Sequence, residues 1–187
     1  TTIIGSTTDA ATVPTYNMLL NVVLGPVNTE LDYVVYDTKG TVLASGKTST
    51  DGTATVAMPT TYAGAIMIKV TDPTTNDNKG YLDEATNFSR DFTVVRAAVD
   101  ATNFSKLKTS PTINVNPATE LACLVMGATS ASAPSKSQIV EGNSAVANLF
   151  GIESSNIVTI TGVKALNSTA APTEGDALKY ANACLLY

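Results

Sequence analysis

The sequence predicts an α+β protein: an antiparallel β-sandwich over residues 1–110, followed by a small helical subdomain over 111–187 packed on it as one compact unit. Three observations carry this expectation. Residues 31–58 alternate polar and apolar side chains with a period of two and are punctuated by Lys39-Gly40 and Asp51-Gly52, the combination that marks strands joined by tight turns. Only 14% of residues are charged against 44% hydrophobic, where roughly 25% charged is usual. Thr, Ser and Asn supply the missing polarity, and threonine, being β-branched, covers a strand face without charge. Near residue 115 the spacing turns helical and helix-capping residues appear.

Taken in order, residues 2–4 and 16–25 are candidate strands. The second carries so many adjacent apolar residues that it is expected to be buried on both faces or to contain a bulge. Residues 31–58 then read as a three-stranded antiparallel meander, the scaffold for the rest. Residues 62–70 form a fourth strand that leads into the polar turn 72–80. A strand pair is expected around residues 90–98. Ala-Thr-Asn-Phe-Ser occurs twice, at 85–89 and 101–105, and both copies read as loop-to-strand entries. Asn116 and Pro117 mark a helix start, the first as N-cap and the second at the first helical position. A second helical stretch carries Ile139, Val146, Leu149 and Phe150, with Gly151 at its end and Gly142-Asn143 expected to break it into two. Residues 157–163 read as a short strand or extended connector, and 174–185 as a last helix capped by Thr173.

The chain has no histidine and no tryptophan, which removes Ser-His-Asp and Cys-His nucleophile systems and most transition-metal sites. It has no glycine-rich phosphate loop. The adjacent carboxylates Asp83 and Glu84 would point to opposite faces of a strand and would not act as an acid–base pair. The expected protein is therefore not an enzyme and needs no cofactor. A net charge of −5 without a basic cluster argues against a nucleic-acid partner, and no apolar run reaches the roughly 18 residues of a membrane span. The first residue is Thr1 rather than Met, as expected after signal-peptide removal.

Four features carry candidate chemistry. Asp72, Asp77, Asp83 and Glu84 form the densest set of oxygen ligands and are the candidate calcium site. A solvated Asp/Asn-rich turn accounts for the same residues, and the spacing is not that of an EF-hand. Cys123 and Cys184 either form a disulfide between helices or are two buried small hydrophobes. Asn87, Asn103 and Asn167 head N-glycosylation triplets. The fragments Thr48-Ser49-Thr50 and Thr53-Ala54-Thr55 fall short of a regular Thr ladder, so a flat ice- or sugar-binding face is weakly indicated.

Several phrases occur in the order of a known module. They are residues 65–71, Tyr81-Leu82-Asp83-Glu84-Ala85-Thr86, Arg96-Ala97-Ala98, Asn116-Pro117-Ala118-Thr119-Glu120-Leu121-Ala122, Asn148-Leu149-Phe150-Gly151-Ile152 and Tyr180-Ala181-Asn182-Ala183. Together they resemble an immunoglobulin-like module of large bacterial secreted and cell-surface proteins and adhesins. The stretch from Val35 to Gly46 is similar to carboxypeptidase-regulatory and collagen-adhesin-B sandwiches. The two cysteines depart from that pattern, standing where small residues are expected. The resemblance implies an Ig-like sandwich and a non-enzymatic structural or adhesive role at the bacterial cell surface. Two forms of that role are expected: an adhesin module beside neighbouring domains, or a filament subunit joined to other copies of itself by β-strand donation. Thr2, Ile3 and Ile4, short, β-prone and uncharged, are the candidate donated strand. The competing expectation is a module that binds glycan, peptide or calcium through the 72–86 loop.

Overall fold

The computed structural model describes residues 13–128, 130–154 and 156–165, together with Gly175 and Lys179. Nine strands lie within them: β1 (Thr15–Val22), β2 (Asp32–Tyr36), β3 (Val42–Lys47), β4 (Thr53–Pro59), β5 (Ala65–Thr71), β6 (Tyr81–Asp83), β7 (Phe88–Arg90), β8 (Val95–Asp100) and β9 (Thr112–Val115). Two α-helices follow, α1 (Pro117–Val125) and α2 (Lys136–Leu149), and 3₁₀ turns occupy Phe104–Lys106 and Ile157–Thr159. The fold is α+β. One sheet has the order β4-β1-β9, a second the order β3-β2-β5-β8, and β6 and β7 form a separate hairpin.

Alternation in the strands builds one core between the two larger sheets. Met18, Leu20 and Val22 of β1, Val56 and Met58 of β4, and Ile113 and Val115 of β9 are buried from one side. Val35, Ile66, Ile68, Val70, Ala97 and Val99 belong to the same cluster from the other. The long apolar run of β1 needs no bulge: Leu19 points outward, and Val23 and Leu24 are buried beyond the strand's end.

Residues 31–58 form the three expected strands but not a meander. Only β2 and β3 pair as a hairpin, with a register shift between Val35 and Tyr36, while β4 crosses to the other sheet and pairs with β1. The corner is built from hydrogen bonds. Buried Thr48 ends β3 by donating its N–H to the Leu31 carbonyl and accepting the Leu31 N–H. Gly52, at φ 80°, then offers its carbonyl to the Val22 N–H of β1. The Asp51-Gly52 turn thus redirects the chain between sheets instead of folding it back. A second departure is β9, which lies parallel to β1 and makes that sheet mixed. Four residues carry too little alternation to announce a strand.

The repeated pentapeptide takes two conformations. Phe88 enters β7 and is 66% exposed, whereas Phe104 opens a 3₁₀ turn and packs against the core. Tertiary contacts, not the local sequence, decide between them.

The start of α1 lies where Asn116 and Pro117 place it, whereas α2 begins at a Ser135 cap that the sequence reading does not single out. Asn116 accepts the Thr119 N–H and Thr119 reciprocates, with Pro117 at the first position; Ser135 and Gln138 form the same box on α2. Gly127, at φ 70°, ends α1 with the Ala128 N–H bonded to the Cys123 carbonyl. Gly142-Asn143 does not break α2, which is continuous. Gly142 is where α1 comes closest: a Cβ there would sit 2.5 Å from Met126 Cγ and 3.0 Å from the Ala122 carbonyl. Asn143 is buried and donates to the Ala98 carbonyl of β8. Close packing therefore explains a dipeptide that reads locally as a breaker.

Helix α1 is fixed to β8 by a buried ion pair, Arg96 Nη1 to Glu120 Oε1 at 2.5 Å, with side chains 12% and 6% exposed. Burial pushes the Glu120 pKa up even with the guanidinium in contact. The pair is incompletely bonded, since Arg96 Nε and Glu120 Oε2 find no hydrogen-bond partner among the described residues. Such a pair is costly to break and cheap to replace. Glu120→Ala, which strands a buried guanidinium, is expected to cost about 3–5 kcal/mol in urea unfolding, and Arg96→Met with Glu120→Leu to recover most of that loss.

Candidate functional site

The four carboxylates of the expected calcium site divide between two loops. Asp72, at the end of β5, is buried and accepts the Thr74 N–H, and Asp77 accepts the Lys79 N–H. Asp91 joins that loop by accepting the N–H groups of Asn76 and Lys79. Asp83 belongs to the β6–β7 turn, where it accepts the Ala85 and Thr86 N–H groups and the Thr86 hydroxyl. The Thr86 hydroxyl above all holds the Asp83 carboxyl below the usual range, with the Ala85 and Thr86 N–H groups and Arg90 assisting. Glu84 follows in the same turn. Among the described residues no group of three or more His, Cys, Asp or Glu side chains is arranged to hold a metal ion. These acids organise their own turns; Asn76, Asn78 and Asn87, all at positive φ, shape the same two loops.

Cys123 lies fully buried in α1 as a free thiol. Burial, with the Glu120 carboxylate adding to it, pushes its pKa up to about 12, the setting of a packing residue and not of a nucleophile. Cys184, the other half of the expected pair, lies outside the described residues, as do Thr2, Ile3 and Ile4.

A site that sequence reasoning missed lies on the outer face of the β4-β1-β9 sheet, an open cleft of about 640 Å³. Two cross-strand rows form its floor. Leu19 of β1 stands between Thr55 of β4 and Thr112 of β9, and Asn21 stands between Thr53 and Asn114. Lys47, Ser49 and residues 161–164 complete the lining. The two asparagines hold it together. Asn21 Nδ2 donates to Asn114 Oδ1 at 2.8 Å and to the Val163 carbonyl at 3.1 Å. Asn114 Nδ2 donates to the carbonyls of Val158 at 3.1 Å and Ile160 at 2.7 Å. Residues 158–163 are thereby strapped over the sheet, and Ile157, Val158 and Val163 are buried there. The signal available in the sequence was an amide inside each of two apolar runs, Leu20-Asn21-Val22 and Ile113-Asn114-Val115.

The chain matches no model of a known protein family and no curated protein.

Two outcomes follow from this geometry. Asn114→Ala leaves the Val158 and Ile160 carbonyls without their donor and is expected to cost about 1–3 kcal/mol. Hydrogen exchange over residues 157–163 should accelerate more than in β5, which separates a released strap from general loosening. In the 72–80 loop, burial raises the Asp72 pKa, the Thr74 and Phe92 N–H groups oppose it, and the neighbouring Asp91 and Asp77 carboxylates add to the rise. A raised folded-state pKa means stability is fullest below the unfolded value and is lost as pH rises through the folded one. Asp72→Asn, which keeps an acceptor for Thr74, is therefore expected to raise Tm at neutral pH and to lose that advantage in acid; an unchanged Tm difference across the titration would contradict it.

Proposed function

We propose that the chain is a non-enzymatic extracellular module of the bacterial cell surface, structural or adhesive, with an immunoglobulin-like sandwich at its centre. One observation supports this most directly: the two sides of the core are finished differently. On the β8/β9 side, α1, α2 and the Ile157–Thr159 turn cover the sheet edges. On the opposite side β3 is an edge strand, paired among the described residues with β2 alone. Its residues are exposed or half-buried throughout, with Val42 at 54%.

An edge strand with unpaired N–H and C=O groups is a template for a strand from another chain. Here it is only lightly guarded. Lys47 is tied to Asp32 at 2.9 Å, and Gly46 is covered by the Tyr33 ring of the neighbouring strand. The partner in this reading is another copy or a neighbouring domain, and the donated strand is the segment around Thr2, Ile3 and Ile4. The buried thiol of Cys123 and the turn-bound carboxylates offer no reactive group in its place.

Electron microscopy and native electrophoresis test the reading. Val42→Lys with Ser45→Lys places charge on the open edge without touching the core, so the unfolding free energy should hold within about 0.5 kcal/mol while polymers are lost. Removing residues 1–8 should abolish assembly equally. Polymers that survive both changes would end the strand-addition proposal.

A further inference from the structure

We propose that the cleft on the β4-β1-β9 sheet is a saccharide site, and that the saccharide it takes carries a carboxylate. The proposal goes beyond strand addition at β3 and does not need it.

The floor has the form of a sugar's underside. Leu19 is 40% exposed and is flanked across the strands by Thr55 and Thr112. With neighbouring strands about 4.8 Å apart, this gives an apolar centre with a hydroxyl-bearing residue on either side, about 10 Å across in all. A pyranose ring offers the complement, an apolar C–H face bordered by hydroxyls. Thr55, Thr112 and Thr161 have no hydrogen-bond partner for their hydroxyls among the described residues, so each is free to donate or accept. Asn21 adds a fixed acceptor. Its amide nitrogen is already bonded to Asn114 and Val163, which orients the side chain, while Oδ1 accepts nothing from the described residues. A few pre-oriented polar groups around an apolar surface are what a small-molecule site requires, and the volume of about 640 Å³ lies in the usual range.

Charge selects the kind of sugar. The chain carries −5 overall, yet the cleft is lined by Lys47 and Lys164 and by no Asp or Glu. Lys47 is partnered by Asp32, whereas Lys164 makes no ion pair among the described residues, so one ammonium is left for a ligand carboxylate. An extended peptide fits less well. Strand β1, at the centre of the floor, is hydrogen-bonded on both sides, to β4 and β9, so a peptide lying over Leu19 finds no main-chain partner beneath it.

Amide chemical shifts, followed while the chain is titrated with a trimer of galacturonic acid and separately with a trimer of galactose, test the proposal. The acidic trimer should shift Leu19, Thr55, Thr112 and Lys164 at millimolar concentration or below. The neutral trimer should bind about tenfold more weakly, a difference of one charge-assisted contact. Leu19→Asp, at a position already open to solvent, should abolish both interactions with shifts elsewhere unchanged. Lys164→Ala should remove only the preference for the acid. No shift with either trimer, shifts confined to another surface, or binding indifferent to Leu19→Asp would overturn the saccharide site. Equal affinity for the two trimers would overturn its acidic specificity.

Discussion

The seating of α1 on β8 is the contact on which the rest of the structure depends. Strands β8 and β9 are the edge strands on one side of the shared core, one in each sheet. Without a cover both would present unpaired backbone and apolar side chains to water. Asn116 solves this within a single residue: it leaves β9 and caps α1, buried throughout. The helix then crosses β8, where Ala98, on the same face as Arg96, is buried and small enough to let it approach. Arg96 and Glu120 fix the angle of that crossing. A buried charge pair of this kind adds little net stability, but it penalises every misplacement of the helix. Helix α2 reaches β8 only because Gly142 lets it lie tightly on α1, and the Ile157–Thr159 turn then fills the remaining side.

Among the described residues one side of the core is covered by helices and the other leaves β3 exposed. The sealed side uses apolar contacts and buried amides, and the open side shows the exposed strand β3. Between them the outer face of the β4-β1-β9 sheet carries threonines, asparagines and Leu19 instead of charge. A chain with so few charged residues needs its hydroxyls and amides to stay soluble, and the same groups arranged in cross-strand rows become recognition chemistry. The carboxylates are spent differently. Asp51, Asp72, Asp77, Asp83 and Asp91 each accept backbone N–H groups at turns. The densest acidic stretch is thus an account of loop shape.

Particular residues show how much was legible in advance. Asn116-Pro117 marks a helix boundary through local hydrogen bonding that sequence neighbours supply, and it reads true; the Ser135 cap of α2 works in the same way but went unread. The strands of residues 32–59 read true as strands for the same reason. Their pairing did not, because a turn such as Asp51-Gly52 states that the chain reverses and not which sheet receives it. Thr48 and Val22 decide that, and they lie far apart in sequence. The cleft was illegible because its rows run across strands: Thr55, Leu19 and Thr112 become neighbours only through register. Asn21 and Asn114 left a trace, a lone amide in an apolar run, but their partners are carbonyls of a distant segment.

The sequence by itself determined an α+β chain with strands before helices, tight turns at glycines, capped helix starts and a face of hydroxyls in place of charges. These are properties of period, capping and side-chain chemistry, all readable within a few residues. The tertiary structure alone decided that β4 joins β1, that β9 runs parallel beside it, and that α2 stays whole through Gly142-Asn143. It also gave one Phe of a repeated pentapeptide to solvent and the other to the core. Each of those outcomes is set by burial against residues remote in the chain, a free energy that no local pattern contains.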